Sequence, residues 1–241
     1  MTGIRLAGGG PVIPNFGHGS PCLVHNHWFC TSWVRQNWGG TLQPALVQHI
    51  ELTLIAVGIG FAISFLLALC GFRYRLLDAP LASCTDFLYM IPSIAAFELL
   101  VPITGLSVTT IEIPLVSYTL FILYRNIVVG LNGVSAEVLE SARGMGLTRV
   151  QTFLRVELPL AAPAILAGLR IATVSTISIA TVGALLIHDG LGAPIFDALD
   201  QPDIFRTELL AAGGLTILLA LAADALLAVV QRALTPWSRL R

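Results

Sequence analysis

Hydrophobic residues are grouped along this chain into five long blocks that short polar segments separate. The blocks lie at about residues 48–71, 86–108, 113–131, 158–187 and 209–231. Each block is close to or above the ~20 residues that cross the apolar core of a bilayer as an α-helix. The pattern therefore predicts an all-α, polytopic membrane helix bundle with about five transmembrane helices.

Helix-breaking residues interrupt two of these blocks. Pro92 and Pro102 fall inside the second block, whereas Pro159 and Pro163 open the fourth and Gly183 lies near its end. A proline in the first turn of a helix costs little, but Pro92 removes a backbone donor inside a span and should kink it. Broken helices at membrane depth face protein or a water-filled cavity. The second block is therefore the best candidate to line a pathway.

The polar segments alternate in charge. Eight arginines lie in residues 71–80, residues 132–157 and the tail after residue 231, whereas the segment at 188–208 is mainly acidic. Positively charged loops remain in the cytoplasm. We therefore expect a multi-pass membrane protein with its N-terminus outside and its C-terminus in the cytoplasm.

Composition excludes several classes of function. The chain is 56% hydrophobic and 11% charged, against roughly 25% charged in a soluble domain. All 13 basic residues are arginine, and a phosphate-binding P-loop requires lysine. The sequence also lacks H-E-x-x-H and G-x-S-x-G motifs, and its net charge of −1 provides no basic surface for nucleic acid. We expect no covalent chemistry, metal or cofactor in this chain.

Residues 1–43 form a polar, glycine- and proline-rich segment ahead of the membrane domain, which we place at 44–241. Trp28, Trp33 and Trp38 recur every five residues, which is typical of a segment at the headgroup level. The segment also holds the group Cys22-x-x-His25-x-His27-x-x-Cys30. A metal site or free thiols remain open alternatives. Its placement outside the cell favours a disulfide between Cys22 and Cys30.

The segment at 132–159 carries the strongest local pattern. Its residues predict a helix over 135–147: an N-cap, an acidic first turn, an apolar stripe and two terminating glycines, namely Ser135, Glu137, Val138, Ala142, Met145, Gly144 and Gly146. Such a short helix is marginal by itself in water. The pattern leaves open whether the helix packs on the membrane surface or on a partner.

The same segment resembles the EAA loop of ATP-binding-cassette importer permeases. That loop reads E-A-A, three residues, G, nine residues and I-x-L-P; here Ser141 and Val156 replace alanine and isoleucine. The resemblance implies a coupling helix that docks on a separate ATPase subunit. It assigns coupling roles to Glu140, Ser141, Ala142, Gly146, Leu158 and Pro159.

Four stretches resemble the glycine betaine, choline and carnitine branch of these permeases: 49–57, 91–95, 140–159, and 168–174 followed by 189–196. The branch usually has Gly-Ala-Gly-Gly-Leu-Gly where this chain has Ile187-His-Asp-Gly-Leu-Gly192. The resemblance implies one half of a type I importer for osmoprotectants, located in a bacterial plasma membrane. Its partners would be a second permease subunit, two ATPases that bind ATP and Mg²⁺, and an extracytoplasmic substrate-binding protein.

Five residues are candidates to line the pathway: Tyr89, Pro92, Phe97, Glu98 and Arg170. Ionisable groups such as Glu98 and Arg170 are costly in a membrane and face the bundle interior, so they line the pathway or, as we favour, lock helices together. Tyr89, Phe97, Tyr118 and Phe121 could contact a quaternary amine, although aromatic residues more often pack helices. For Arg125 we favour snorkelling to the interface over an ion pair or a substrate contact.

Three other functions remain possible from the sequence. One is a permease of the same superfamily for another solute, such as methionine or a sulfonate. The second is a secondary transporter driven by an ion gradient, which inverted repeats would support and the sequence does not display. The third is a membrane-embedded enzyme, which the absent motifs disfavour.

Overall fold

The computed structural model describes Cys22 and residues 26–237, and that part of the chain is helical without a strand. The α-helices, in chain order, are α1 Thr31–Asn37, α2 Gln43–Arg73, α3 Arg75–Met90, α4 Ser93–Thr104, α5 Val108–Asn132, α6 Ala136–Gly144, α7 Arg149–Thr152, α8 Leu158–Gly183, α9 Gly192–Leu199 and α10 Arg206–Leu234. The all-α prediction is confirmed.

Two spanning helices extend beyond their apolar blocks. A π-helical segment, Trp38–Leu42, joins α1 to α2, so one helix runs from Thr31 to Arg73 and passes the expected domain boundary at residue 43. A second π-helical segment, Phe153–Glu157, joins α7 to α8 in the same way. Hydropathy locates the part of a helix that lies in the bilayer, whereas the helix itself continues into polar sequence.

The second apolar block forms two helices instead of one continuous helix. α3 and α4 meet at Ile91 and Pro92 with a bend of 92°, so the predicted break at Pro92 is confirmed. The bounds are different, because helix already begins at Arg75 and ends at Thr104. Within the described residues, four helices are long and apolar enough to cross a membrane, or five if this bent pair forms one span.

α5 is the central helix and packs against α2, α3, α4 and α8. Small residues allow the closest approaches: a Cβ on Gly60 of α2 or on Gly168 of α8 would overlap Thr119 or Asn126 of α5. Glycine at such crossings is typical of membrane bundles, where packing instead of the hydrophobic effect holds helices together. α10 lies at the periphery against α8 and α9.

The charged segments are sorted between the two ends of the bundle. Arg73, Arg75, Arg143 and Arg149 line one cavity, and Gln231 near the end of α10 contacts Pro163 near the start of α8. We call this the arginine end, because all three arginine-bearing segments meet there. The opposite, aspartate end holds residues 187–206. The alternation of charge in the sequence therefore corresponds to opposite ends of the fold.

The N-terminal segment packs on the aspartate end. Cys22 and Cys30 form a disulfide, and the Asn26 side chain bonds the backbone on both sides of Phe205. Trp28 and Trp38 are exposed, but Trp33 is buried with its ring against Phe205, 5.2 Å between centroids. Trp33 therefore packs inside its own chain, and the interfacial position of the segment stays a prediction.

The described residues of the N-terminal segment give no support to the alternative of a metal site. His25 lies outside the described residues, and among the described ones no three histidine, cysteine, aspartate or glutamate side chains group as ligands would.

Candidate functional site

The loop between α5 and α8 forms the short helix α6 and a tight turn. Ser135 precedes the helix in extended conformation, as an N-cap residue does, although its hydroxyl makes no capping bond. At the other end, Gly146 donates to the carbonyl of Arg143 and Leu147 donates to that of Ala142. This pair of bonds closes a helix through a left-handed residue, and Gly146 has a φ of +80°.

α6 presents two opposite faces. Val138, Ser141 and Met145 form its outer face, which is exposed; Met145 is 74% accessible. Leu139 and Arg143 lie on the inner face, along a cavity. The predicted stripe is therefore split, because Ala142 is buried against its own chain while Val138 and Met145 are not. An exposed apolar face on a loop helix is available to a partner.

The remaining loop residues lead the chain back into the bundle. Thr148 and Gln151 bond each other's backbone in a capping box at the start of α7, which fixes where the helix restarts. Leu158 and Pro159 open α8 directly after the π-helical segment Phe153–Glu157, so Pro159 lies within a helix that is continuous from Arg149. Glu140 is exposed beside the outer face.

The break between α3 and α4 is held by a side chain of α5. The Tyr118 hydroxyl donates to the carbonyl of Ile91 at 2.6 Å, and Ala96 donates to Pro92 where α4 begins. A backbone break inside a membrane is stable only where other groups satisfy it. Tyr118 therefore supports the bend instead of facing a solute.

The other candidates on the bent pair differ in access. Tyr89 is 42% exposed and stacks on Phe121, with 4.5 Å between ring centroids. Phe97 is fully buried in a core cluster with Ala56 and Leu115, so it packs helices together. Glu98 is exposed. Of the aromatic candidates, Tyr89 has the largest open surface.

Arg125 pairs with Asp86 of α3. Its Nε lies 3.3 Å from Oδ1, and its Nη2 contacts the other carboxylate oxygen. The contact agrees with the second alternative, an ion pair, whereas snorkelling of this half-exposed side chain to the interface stays a prediction. The position of Asp86 at the start of the second apolar block was the feature of the sequence that could have identified it as the partner of Arg125.

Arg170 joins α8 to α10. Its guanidinium makes two bonds of 2.8 Å to the carboxylate of Asp224 and a third, of 3.3 Å, to Gln231. The Gln231 amide donates in turn to the carbonyl of Pro163. The contact agrees with the helix-locking alternative. Asp224 is the one charge between residues 209 and 230, and such a lone carboxylate predicts a lone cation as its partner.

We expect Asp224→Asn to destabilise the protein, because it leaves the Arg170 charge without a counterion between two apolar helices. Thermal unfolding of the purified protein should begin at a lower temperature than in the parent. The double variant Arg170→Gln/Asp224→Asn removes both charges and should recover most of the loss. Asp200→Asn, in an exposed turn, is the control and should have no effect. A double variant as unstable as the single one would contradict the ion-pair explanation.

A junction at the aspartate end was not anticipated from the sequence. His49 of α2 is fully buried; its Nε2 donates to the carbonyl of Ile177 at 3.1 Å and its Nδ1 accepts from the Leu191 amide at 3.2 Å. Gln48 accepts from the amide of Gly190. These side chains attach the turn before α9 to α2 and α8. In the sequence, the only sign of this junction is that two adjacent polar residues, Gln48 and His49, begin the first apolar block.

Comparison with known proteins identifies the family. The model of the family described as "Binding-protein-dependent transport system inner membrane component" matches residues 51–236. The chain is 32% identical over 202 residues to the choline transport system permease protein OpuBB of Bacillus subtilis (strain 168), covering 83% of this chain and 92% of the relative. It is 30% identical over 202 residues to the glycine betaine/carnitine/choline transport system permease protein OpuCB of the same organism, with 83% and 92% covered.

Solved structures show the same fold. A chain of the MetNI methionine ABC transporter in an inward facing conformation superposes with a TM-score of 0.70 at 19% identity, covering 83% of this chain and 98% of the other. At that identity the likeness concerns the fold alone. The family match over most of the chain and the two relatives show that this multi-pass membrane protein belongs to the binding-protein-dependent transport system inner membrane components.

Proposed function

We propose that the chain is the permease subunit of an ATP-driven type I ABC importer for choline, glycine betaine, carnitine and similar osmoprotectants. The observation that supports this most directly is α6, a loop helix at the arginine end with an exposed outer face and Gly146 at its end. Such a helix is a docking element for another protein. In the proposed transporter that protein is the ATPase.

The proposed complex contains this chain, a second permease subunit, two ATPases and an extracytoplasmic substrate-binding protein. ATP and Mg²⁺ bind to the ATPases, and this chain holds no cofactor. When ATP draws the ATPases together, each coupling helix follows its docking groove. The permease halves then rock between inward and outward openings, and no covalent step occurs in this chain.

The proposed substrate class rests on the relatives and on the charges in the spans. Choline, glycine betaine and carnitine all carry a trimethylammonium group. Arg125 and Arg170 are the two arginines inside the apolar blocks, and each is matched by an aspartate, so neither presents an unpaired charge that would repel such a solute. Tyr89, Pro92 and Glu98 on the bent pair are the pathway residues of this proposal, with the Tyr89 ring as a cation–π contact.

Uptake into vesicles tests this function. The assembled complex should take up labelled choline only with ATP inside and binding protein outside. Excess unlabelled choline, glycine betaine or carnitine should compete, whereas methionine should not. Competition by methionine alone would overturn the substrate class and keep the permease role. Uptake that follows an ion gradient without ATP would overturn both.

The orientation has its own test. We propose that the arginine end lies in the cytoplasm, because arginine-bearing segments are retained there. In a Cys70→Ser/Cys84→Ser background, a cysteine at position 200 should react with an impermeant maleimide in intact cells, and one at position 149 should react only after lysis. Both positions are exposed. The reverse pattern would also remove the coupling role of α6.

A further inference from the structure

A cavity at the arginine end is not used by the proposed transport cycle. It has a volume of about 1390 Å³ and lies between the α2–α3 junction, the end of α5, and the segment from α6 to the π-helical turn before α8. Four arginines line it: Arg73, Arg75, Arg143 and Arg149. Two of them come from each side of the cavity.

The cavity carries an excess of positive charge. Only two carboxylates line it, Asp78 and Glu157. The Asp78 carboxylate already accepts the Tyr124 hydroxyl at 2.7 Å, and Glu157 interacts with Arg143. None of the ion pairs found among residues 26–237 involves any of the four cavity arginines. Besides this contact of Arg143 with Glu157, Arg73 lies 5.5 Å from the centroid of the Tyr74 ring. All four guanidinium groups are exposed, and they keep N–H donors available to an anion.

The remaining lining is apolar and belongs to the spans. Leu69 and Phe72 come from the last turns of α2, and Val128 and Leu131 from the last turns of α5. The cavity thus combines a cationic rim at the helix ends with an apolar wall along the helices. A free anion such as phosphate would bind the arginines of the rim but leave the apolar wall in contact with water. A phospholipid matches both parts, because its phosphate and its acyl chains are joined in this order.

We propose that this cavity binds one anionic phospholipid of the cytoplasmic leaflet, with the phosphate among the arginines and the upper acyl chains against α2 and α5. The proposal rests on the orientation given under the proposed function. Arginine binds phosphate through paired N–H donors, and basic pockets between helices on the cytoplasmic side bind anionic headgroups. A zwitterionic lipid fits less well, because its ammonium group would approach the same arginines.

The ATPase does not compete for this position. In the proposed complex the ATPase docks on the exposed outer face of α6, with Val138, Ser141 and Met145, whereas the cavity lies on the inner face with Leu139 and Arg143. Residues on these two faces lie on different sides of one helix. The bound lipid would therefore support α6 from behind, where the helix has little packing of its own.

The test measures lipid retained by the assembled transporter. The full complex is reconstituted in nanodiscs of equal parts phosphatidylglycerol and phosphatidylcholine, released, and examined by native mass spectrometry. The parent should retain phosphatidylglycerol in preference to phosphatidylcholine, an outcome that needs no variant. Arg73→Gln/Arg149→Gln, with one change on each side of the cavity, should lower that retention by roughly tenfold or more.

Arg155→Gln is the matched control. Arg155 is an exposed arginine of the same loop that does not line the cavity, so its removal should leave retention unchanged. Equal retention by parent and double variant, equal retention of the two lipids, or displacement of the lipid by inorganic phosphate would each overturn the proposal. Because retention is scored on the complex itself, a failure of choline uptake would overturn the proposed function and leave this result standing.

Discussion

Replacing Gly146 by valine is expected to remove most ATP-driven uptake, whereas the same change at Gly144 is not. Gly146 has a φ of +80°, and Gly144 is the last residue of the α-helix. A left-handed conformation costs an ordinary L-residue about 1–2 kcal/mol, and a β-branched one is a strong outlier there. That cost shifts the turn toward other conformations by roughly five- to thirtyfold.

Comparing Gly146→Val with Gly144→Val separates the effect of backbone conformation from the effect of side-chain size. A Cβ at either glycine points into open space, with no atom of a more distant residue within 4 Å, so the two positions differ chiefly in the backbone conformation that they require. Gly146→Asn should recover much of the activity, because asparagine tolerates the left-handed region. The measurements are the amount of permease in the membrane, the amount of ATPase that copurifies with it, and choline uptake.

The expected pattern is normal insertion for all three variants and loss of ATPase for Gly146→Val alone. Equal loss for the two valines would show that bulk on the docking face matters instead of the turn. Full activity of Gly146→Val would contradict the coupling role of this loop.

The spans could be predicted from sequence because the bilayer sets one length for every crossing helix. The break at Pro92 was also predictable, because a proline removes a hydrogen bond wherever it lies within a span. The start of α3 was not. Arg75, Asp78 and Pro80 precede the apolar block and suggest a loop, yet they lie in a helix. Hydropathy does not detect the part of a helix that continues outside the apolar core of the membrane.

In the candidate site, too, some features could be predicted from the sequence and others could not. Gly146 and the end of α6 follow from local rules, because a helix terminus depends on residues within one turn. The partners of Arg125 and Arg170 are 39 and 54 residues away in sequence, so they depend on which helices are neighbours. The burial of Phe97 and the exposure of Tyr89 depend on how each helix is rotated about its axis, and sequence spacing alone does not define that rotation.

His49→Phe is expected to release the turn before α9 from the bundle. Phenylalanine fills a similar space but makes neither hydrogen bond, so the Leu191 amide would stay buried without an acceptor. An unsatisfied buried donor costs about 1–3 kcal/mol. Because 1.4 kcal/mol corresponds to a factor of ten, protection of that amide against hydrogen exchange should fall by roughly five- to hundredfold.

Gln48→Ala is the control at the adjacent position. Gln48 also accepts an amide of this turn, that of Gly190, but its side chain is exposed. Water can replace it, and exchange at Gly190 and Leu191 should change little. Hydrogen exchange followed by mass spectrometry of the peptides that cover residues 187–199 makes the comparison in the assembled transporter.

The histidine is required because it performs two opposite tasks with one ring. Its Nε2 faces a carbonyl and must donate, and its Nδ1 faces an amide and must accept, so a single tautomer serves both α8 and the turn. Asparagine in place of His49 can accept from Leu191 but is too short to reach Ile177 as well, and should give intermediate protection. If His49→Phe and Gln48→Ala exchange at the parent rate, the turn is held by its apolar contacts, and the buried histidine is not its anchor.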